Sequence, residues 1–151
     1  MKMEPLFPFE TLQTVTELMA IKASVQNVSY LSDIQVSPKE RLKGNRMGLK
    51  LIISNLISNA IKYTDEQGEV TFSVSVIDSH IKFMIKDNGI GMSSKELNTL
   101  YKKYGKHNEI KSGQGIGLYI VKNITDRFNG PIHFESEPEI GTEVTVTLPL
   151  I

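Results

Sequence analysis

The sequence contains no cysteine, which excludes disulfides and thiolate metal centres and fits a reducing compartment. Histidine is scarce: His80, His107 and His133 stand far apart without ligand-like spacing, so no metal site built on imidazoles is expected. Excess charge of either sign is missing too. Seventeen basic residues balance seventeen acidic ones, so no bulk field draws the chain to nucleic acid or to an anionic membrane. No apolar run reaches the length of a bilayer span, and Met1–Phe9 lacks the apolar core of a signal peptide. There is no internal repeat and no low-complexity tract. What is present is ordinary for one soluble globular domain: 40% hydrophobic and 23% charged residues over 151 positions. The expectation is a cytoplasmic domain, compatible with a membrane anchor elsewhere in a longer protein.

Hydrophobic spacing predicts the elements. Leu12, Val15, Met19 and Ala23 recur at helical spacing, so a helix starts near Phe9. A short strand is expected over Val28–Ile34 and a strong helix over Leu49–Tyr63. Val70, Phe72, Val74 and Val76 alternate with polar residues, and Ile81, Phe83 and Ile85 do the same after an Asp78-Ser79 turn, which reads as a hairpin. Ser93 and Ser94 can cap a short helix through about Tyr101. Lys102–Gln114 reads as a polar loop, followed by a helix over Ile116–Phe128 that stops at Asn129-Gly130. Strands over Ile132–Glu135 and Glu143–Leu148, joined by a turn at Gly141, close the chain. Helices mixed with antiparallel hairpins suggest a two-layer α/β sandwich.

Three constellations carry chemistry. Asn55, Asn59, Lys62 and Tyr63 fall within an arc of about 100° of one helix, beside the apolar arc of Ile53, Leu56, Ile57 and Ala60. Two amides, an ammonium and an aromatic ring suit a metal–nucleotide, although an ordinary solvated helix face reads equally well. Asp87 continues the inward phase of Ile81, Phe83 and Ile85, where a carboxylate needs donors or pays for its desolvation. Gly89 and Gly91 follow it and leave room for a ligand to approach the backbone; a plain Asp-Asn-Gly turn is the alternative. Gly113, Gly115 and Gly117 lead into Leu118 at the start of a helix, where exposed N–H groups and the dipole favour phosphate. The spacing is neither that of a Rossmann fingerprint nor that of a P-loop.

Taken together and in this order, the three resemble the Bergerat-fold ATPases. Within that superfamily, Asn55-Leu56-Ile57-Ser58-Asn59-Ala60-Ile61-Lys62-Tyr63-Thr64 is similar to the N box of sensor histidine kinases. Asp87–Met92 is similar to their G1 box and Gly113–Leu118 to their G2 box. Gly141-Thr142 and the strand after it match the closing hairpin. The resemblance implies a mixed, mostly antiparallel sheet covered on one face by helices, with an ATP lid over Tyr101–Gln114. It implies residues 9–151 as the catalytic domain and residues 1–8 as a linker or remnant of an upstream dimerisation hairpin.

The resemblance also implies roles. Asn59 is the expected magnesium ligand, Asn55 a nearby polar contact, Lys62 a phosphate contact and Tyr63 a packing surface for nucleotide. Asp87 is expected to accept the adenine amine with Thr142 close by, and the 113–117 loop to hold phosphates. The implied reaction passes the γ-phosphoryl group of Mg-ATP to a histidine on a dimerisation domain, with a response regulator as the further partner. This sequence departs from the pattern at Tyr101 and Tyr104, where phenylalanines are usual, and at Lys106, where arginine is common. Lys106 reads equally as a catalytic phosphate contact and as a solvated loop charge. None of the three histidines has the surroundings of a phosphoacceptor. A degenerate binding module and an anti-sigma-type serine kinase remain as alternatives.

Overall fold

The computed structural model describes residues 1–103 and 113–151. Five strands form one mixed sheet in the order β2 (Ser29–Ile34), β4 (Glu69–Ile77), β5 (His80–Asp87), β7 (Gly141–Pro149), β6 (Ile132–Glu137). The β2–β4 pair is parallel and the other three pairs are antiparallel. Helices α1 (Pro8–Val25), α2 (Arg46–Lys62) and α4 (Gly113–Arg127) cover one face, with α2 in the middle against β4 and β5. This is the two-layer sandwich that the alternation and helical periods predict.

Strand alternation decides which face is covered. Val70, Phe72 and Val74 of β4, Ile81, Phe83 and Ile85 of β5, and Val144, Val146 and Leu148 of β7 are buried beneath the helices. Residues between them, such as Ser73, Lys82 and Thr145, are half-buried on the open face. Burying a side chain such as Phe72 or Phe83 contributes roughly 1.5–3 kcal/mol each. From the helices, Leu12, Val15 and Ala23 of α1 and Leu49, Ile52, Ile53, Leu56, Ile57, Ala60 and Ile61 of α2 complete the core.

Local signals fix the ends. Asp78 and Ser79 both take positive φ, the conformation of a tight two-residue hairpin. Asn45 caps α2 by accepting from the Gly48 amide at 3.0 Å. Both α1 and α4 end on a left-handed asparagine, Asn27 and Asn129, whose neighbours return amides to the last turn (Val28 N–H to Ala23, Gly130 N–H to Thr125).

Several boundaries differ from the sequence expectation: β6 runs on to Glu137 and β7 already starts at Gly141, so the turn expected at Gly141 lies just before it. Helix α2 starts at Arg46 rather than Leu49, because the Asn45 cap lies before the apolar period begins. The segment read as a loop over 102–114 is shorter. Helix α3 (Ser94–Lys103) runs through Lys103 and α4 starts at Gly113, so glycines placed in a loop form the first turn of a helix. First-turn amides have no intrahelical partner in any case, so glycine costs little cohesion there. Finally, β1 (Glu4–Leu6) pairs antiparallel with β3 (Leu42–Gly44), a small sheet that three-residue strands do not announce. Residues 104–112, with Tyr104, Lys106 and His107, on which the expected lid falls, lie outside the described residues.

Candidate functional site

Asn59, Lys62, Tyr63, Asp87, Gly89, Gly91 and Thr142 lie at one end of the sheet, where β5 leaves the core and α2 finishes, while Lys106 is outside the described residues. Asp87 is the last residue of β5 and is half-buried in the inward phase. Its Oδ1 accepts the Gly89 amide at 2.9 Å and the Thr142 amide at 3.3 Å. Burial pushes its carboxyl above the ordinary value, and these two backbone amides pull it back. Oδ2 has no hydrogen-bond partner among the described residues. The carboxylate is thus fixed by one oxygen and presents the other as a bare acceptor.

Thr142 stands beside Asp87 in the β5–β7 register, and Ser136 beside Thr142 in the β7–β6 register. Sequence reading missed Ser136. Its Oγ accepts the Met92 amide at 2.8 Å, lies 2.7 Å from the Thr142 Oγ1, and donates to the Gly141 carbonyl at 3.0 Å. The geometry is consistent when Thr142 donates to Ser136. A usable signal existed: Ser136 continues the inward phase of Ile132 and Phe134, as Asp87 continues that of Ile85.

The two glycines after Asp87 serve a different purpose from the one expected. A Cβ on Gly89 would overlap the Tyr63 carbonyl, and one on Gly91 would overlap the Glu137 carbonyl. Gly91 also takes a φ of 64°. Protein backbone, not a ligand, fills the space they leave. The Ile90 amide donates to the Tyr63 carbonyl at 3.1 Å, so the turn is tied to the end of α2.

Asn59 lies one turn before that junction. Its amide is half-buried with no hydrogen bond to a described residue, while the Asn55 amide nitrogen donates back to Leu51 O at 2.8 Å. Lys62 is exposed, its Nζ 5.4 Å from the centre of the Tyr63 ring. Helix α4, which Gly113, Gly115 and Gly117 open, packs against α2. Leu118 is buried in the core, so its side chain anchors the start of α4. The structure therefore brings together the end of α2, Asp87, Thr142 and the turn between them, with α4 alongside.

Among the described residues no cluster of three or more His, Cys, Asp or Glu side chains could hold a metal. Magnesium makes a smaller demand, since it keeps several waters and takes one or two protein oxygens beside substrate phosphates. The Asn59 amide, which has no partner among the described residues, fits that demand. No helix among the described residues is long and apolar enough to cross a membrane.

The family described as histidine kinase-, DNA gyrase B- and HSP90-like ATPases matches residues 44–151. Sensor protein EvgS from an Escherichia coli strain is 37% identical over 116 residues, covering 72% of this chain and 10% of that protein. Histidine protein kinase DivJ of Caulobacter vibrioides is 29% identical over 145 residues, 94% of this chain and 24% of that protein. The chain thus spans a minor part of these relatives. Among solved structures, the catalytic domain of histidine kinase ThkA superposes with a TM-score of 0.82 at 20% identity, covering 99% of this chain and 98% of that one. The ShkA structure in complex with AMPPNP gives 0.80 at 24% identity, covering 99% of this chain and 31% of that one. At such identities these superpositions speak to the fold alone.

Proposed function

Because the chain belongs to the family of histidine kinase-, DNA gyrase B- and HSP90-like ATPases, we propose that it binds Mg-ATP at the end of α2 and passes the γ-phosphoryl group to a histidine on a separate dimerisation domain. The observation that carries this reading is Asp87: half-buried, held through one oxygen, with the other unengaged. An adenine amine is a donor of the size and polarity to meet it. The names of the relatives, sensor proteins and histidine kinases, favour a histidine over other acceptors and a response regulator downstream.

Each group has a task under this reading. Asp87 accepts the exocyclic amine, and Thr142 and Ser136 stiffen the strand ends beside it. Tyr63 packs on the nucleotide and Lys62 meets phosphate. Asn59, with Asn55 a turn earlier, supplies an amide oxygen to magnesium, whose charge offsets that of the phosphates. The glycines opening α4 turn backbone N–H groups toward the phosphates. Positioning and charge neutralisation account for most of the rate in phosphoryl transfer, so no strong general base is required. Lys106 is assigned the charge that forms as the γ-phosphoryl group leaves.

Calorimetry with ATP and with adenosine, each with and without magnesium, tests the assignment. Asn59→Ala is expected to remove most of the magnesium dependence, about tenfold in ATP affinity, and to leave adenosine binding unchanged. Equal losses for both ligands would make Asn59 a structural residue.

A further inference from the structure

Where β5 leaves the core, Val70, Asp87, Thr142 and Ser136 stand side by side across β4, β5, β7 and β6. Directly opposed residues of antiparallel strands leave the sheet on the same face, with Cβ atoms about 5 Å apart. Thr142 therefore stands between the Asp87 carboxylate and the Ser136 hydroxyl, and all three are half-buried. The hydrogens of this row can be counted. Ser136 has one proton, and the Gly141 carbonyl at 3.0 Å can only accept it. The Ser136 oxygen then accepts the Met92 amide at 2.8 Å and has one lone pair left for Thr142, 2.7 Å away. Thr142 must be the donor in that last contact. Its proton is directed along the row away from Asp87, and its oxygen makes no other hydrogen bond to a described residue.

We propose that Ser136 is a positioning residue for base selectivity: by holding the Thr142 proton, it keeps Asp87 and Thr142 a pair of pure acceptors that selects a 6-amino purine over a 6-oxo one. The inference rests on the adenine reading of Asp87 given above and extends it to a residue that does not touch the base. Ser136 commits its whole hydrogen-bonding capacity, one proton and two lone pairs, and this is what fixes the direction of the Thr142 proton. Without the Ser136 oxygen that proton turns to another acceptor within reach. The bare oxygen of Asp87 is the strongest of these, because a charged acceptor forms the stronger bond; a ligand carbonyl is the alternative. In either case the row has one acceptor fewer for the base. An exocyclic amine then loses a partner. A 6-oxo group, which in the parent faces acceptor against acceptor, is repelled less or gains a donor.

Competition of ATP and of ITP against a fluorescent ATP analogue tests this, since the two nucleotides differ only at position 6 of the purine and the adjoining N1 proton. The parent chain is expected to prefer ATP. Ser136→Ala should narrow that preference by about three- to tenfold, the worth of one neutral hydrogen bond. Thr142→Val keeps the shape and removes the hydroxyl, so it should narrow the preference similarly. In the Thr142→Val background Ser136→Ala should narrow it no further, because Ser136 acts through Thr142. Ser136→Thr, which returns a hydroxyl, should restore the preference. Melting curves establish that each variant folds, and a general loosening of the site would weaken both nucleotides together and leave their ratio alone. Equal weakening of ATP and ITP by Ser136→Ala would make Ser136 a structural residue only and overturn the proposal. A second narrowing in the Thr142→Val background would overturn it too. A parent that binds ATP and ITP alike, or neither, would remove the adenine reading of Asp87 itself, and the two failures are thereby told apart.

Discussion

Asp87 meets opposed demands, because the position that would present its free oxygen to the proposed adenine also makes its charge expensive. Burial is the larger influence on its carboxyl and raises the pKa above 3.8. Between that ordinary value and the raised one, the folded chain binds more protons than the unfolded chain. Stability conferred by this group is therefore full below the ordinary pKa and is lost as pH rises through the folded pKa. Asparagine carries no such charge, and its oxygen can keep accepting the Gly89 and Thr142 amides. Asp87→Asn should accordingly fold, with a melting temperature that gains on the parent as pH rises through this window. The same change turns a bare acceptor into a donor, so ATP and ADP affinity should fall on the order of 100-fold. Calorimetry and melting curves over pH read both effects; unchanged affinity would remove Asp87 from the adenine site. This residue was legible in the sequence because strand phase is a geometric fact. Ser136 was legible by the same rule. The purpose of Gly89 and Gly91 was not, since the carbonyls of Tyr63 and Glu137 that press on them come from distant parts of the chain.

At the scale of elements, the site is a junction between α2 and the turn leaving β5, closed by backbone contact. Gly89→Ala would drive a methyl into the Tyr63 carbonyl and displace the Ile90 amide that donates to it. The expected cost is about 1–3 kcal/mol, as for other overpacked sites, with loss of nucleotide affinity because Asp87 and Asn59 separate. Chemical denaturation and calorimetry on the same variant check this; an alanine tolerated within error would show that the junction yields. Helix α3 is bounded differently. Ser93 and Glu96 exchange hydrogen bonds in a capping box, the Glu96 amide to the Ser93 hydroxyl and the Ser93 amide to the Glu96 carboxylate, both at 3.1 Å. These bonds hold the Glu96 carboxyl below its ordinary value. Elements with a long apolar period were readable at once. Short β1 and β3 were not, because three residues cannot show a period. The start of α4 was obscured because glycine signals a loop by propensity, while packing of Leu118 and Val121 makes the helix.

For the whole molecule the question is whether any histidine of this chain can meet its own nucleotide. His80 opens β5 and His133 lies in β6, and both are exposed. Each alternates with inward residues, Ile81 on one strand and Ile132 and Phe134 on the other, so both imidazoles stand on the open face of the sheet. Asp87 and Asn59 lie on the helix-covered face. His80 is also seven residues along β5 from Asp87, roughly 23 Å at strand rise. An in-line approach needs reacting atoms within about 3.5 Å, and the sheet itself stands between. His107 lies outside the described residues and is followed by Asn108 rather than by an acidic residue. The chain incubated alone with γ-labelled ATP is expected to stay unlabelled, yet to label a cognate histidine-bearing hairpin added in trans. The product should be acid-labile and base-stable, as a phosphoramidate is. Label on this chain alone would overturn the assignment of a separate acceptor. An unlabelled hairpin at saturating ATP would favour a binding module without transfer, and Lys106→Arg would then be expected to restore activity if the missing planar fork is the defect. Where transfer occurs, Lys106→Ala should slow it about 100-fold or more while changing ATP affinity far less, if that charge has the proposed role on the departing γ-phosphoryl group rather than on bound nucleotide.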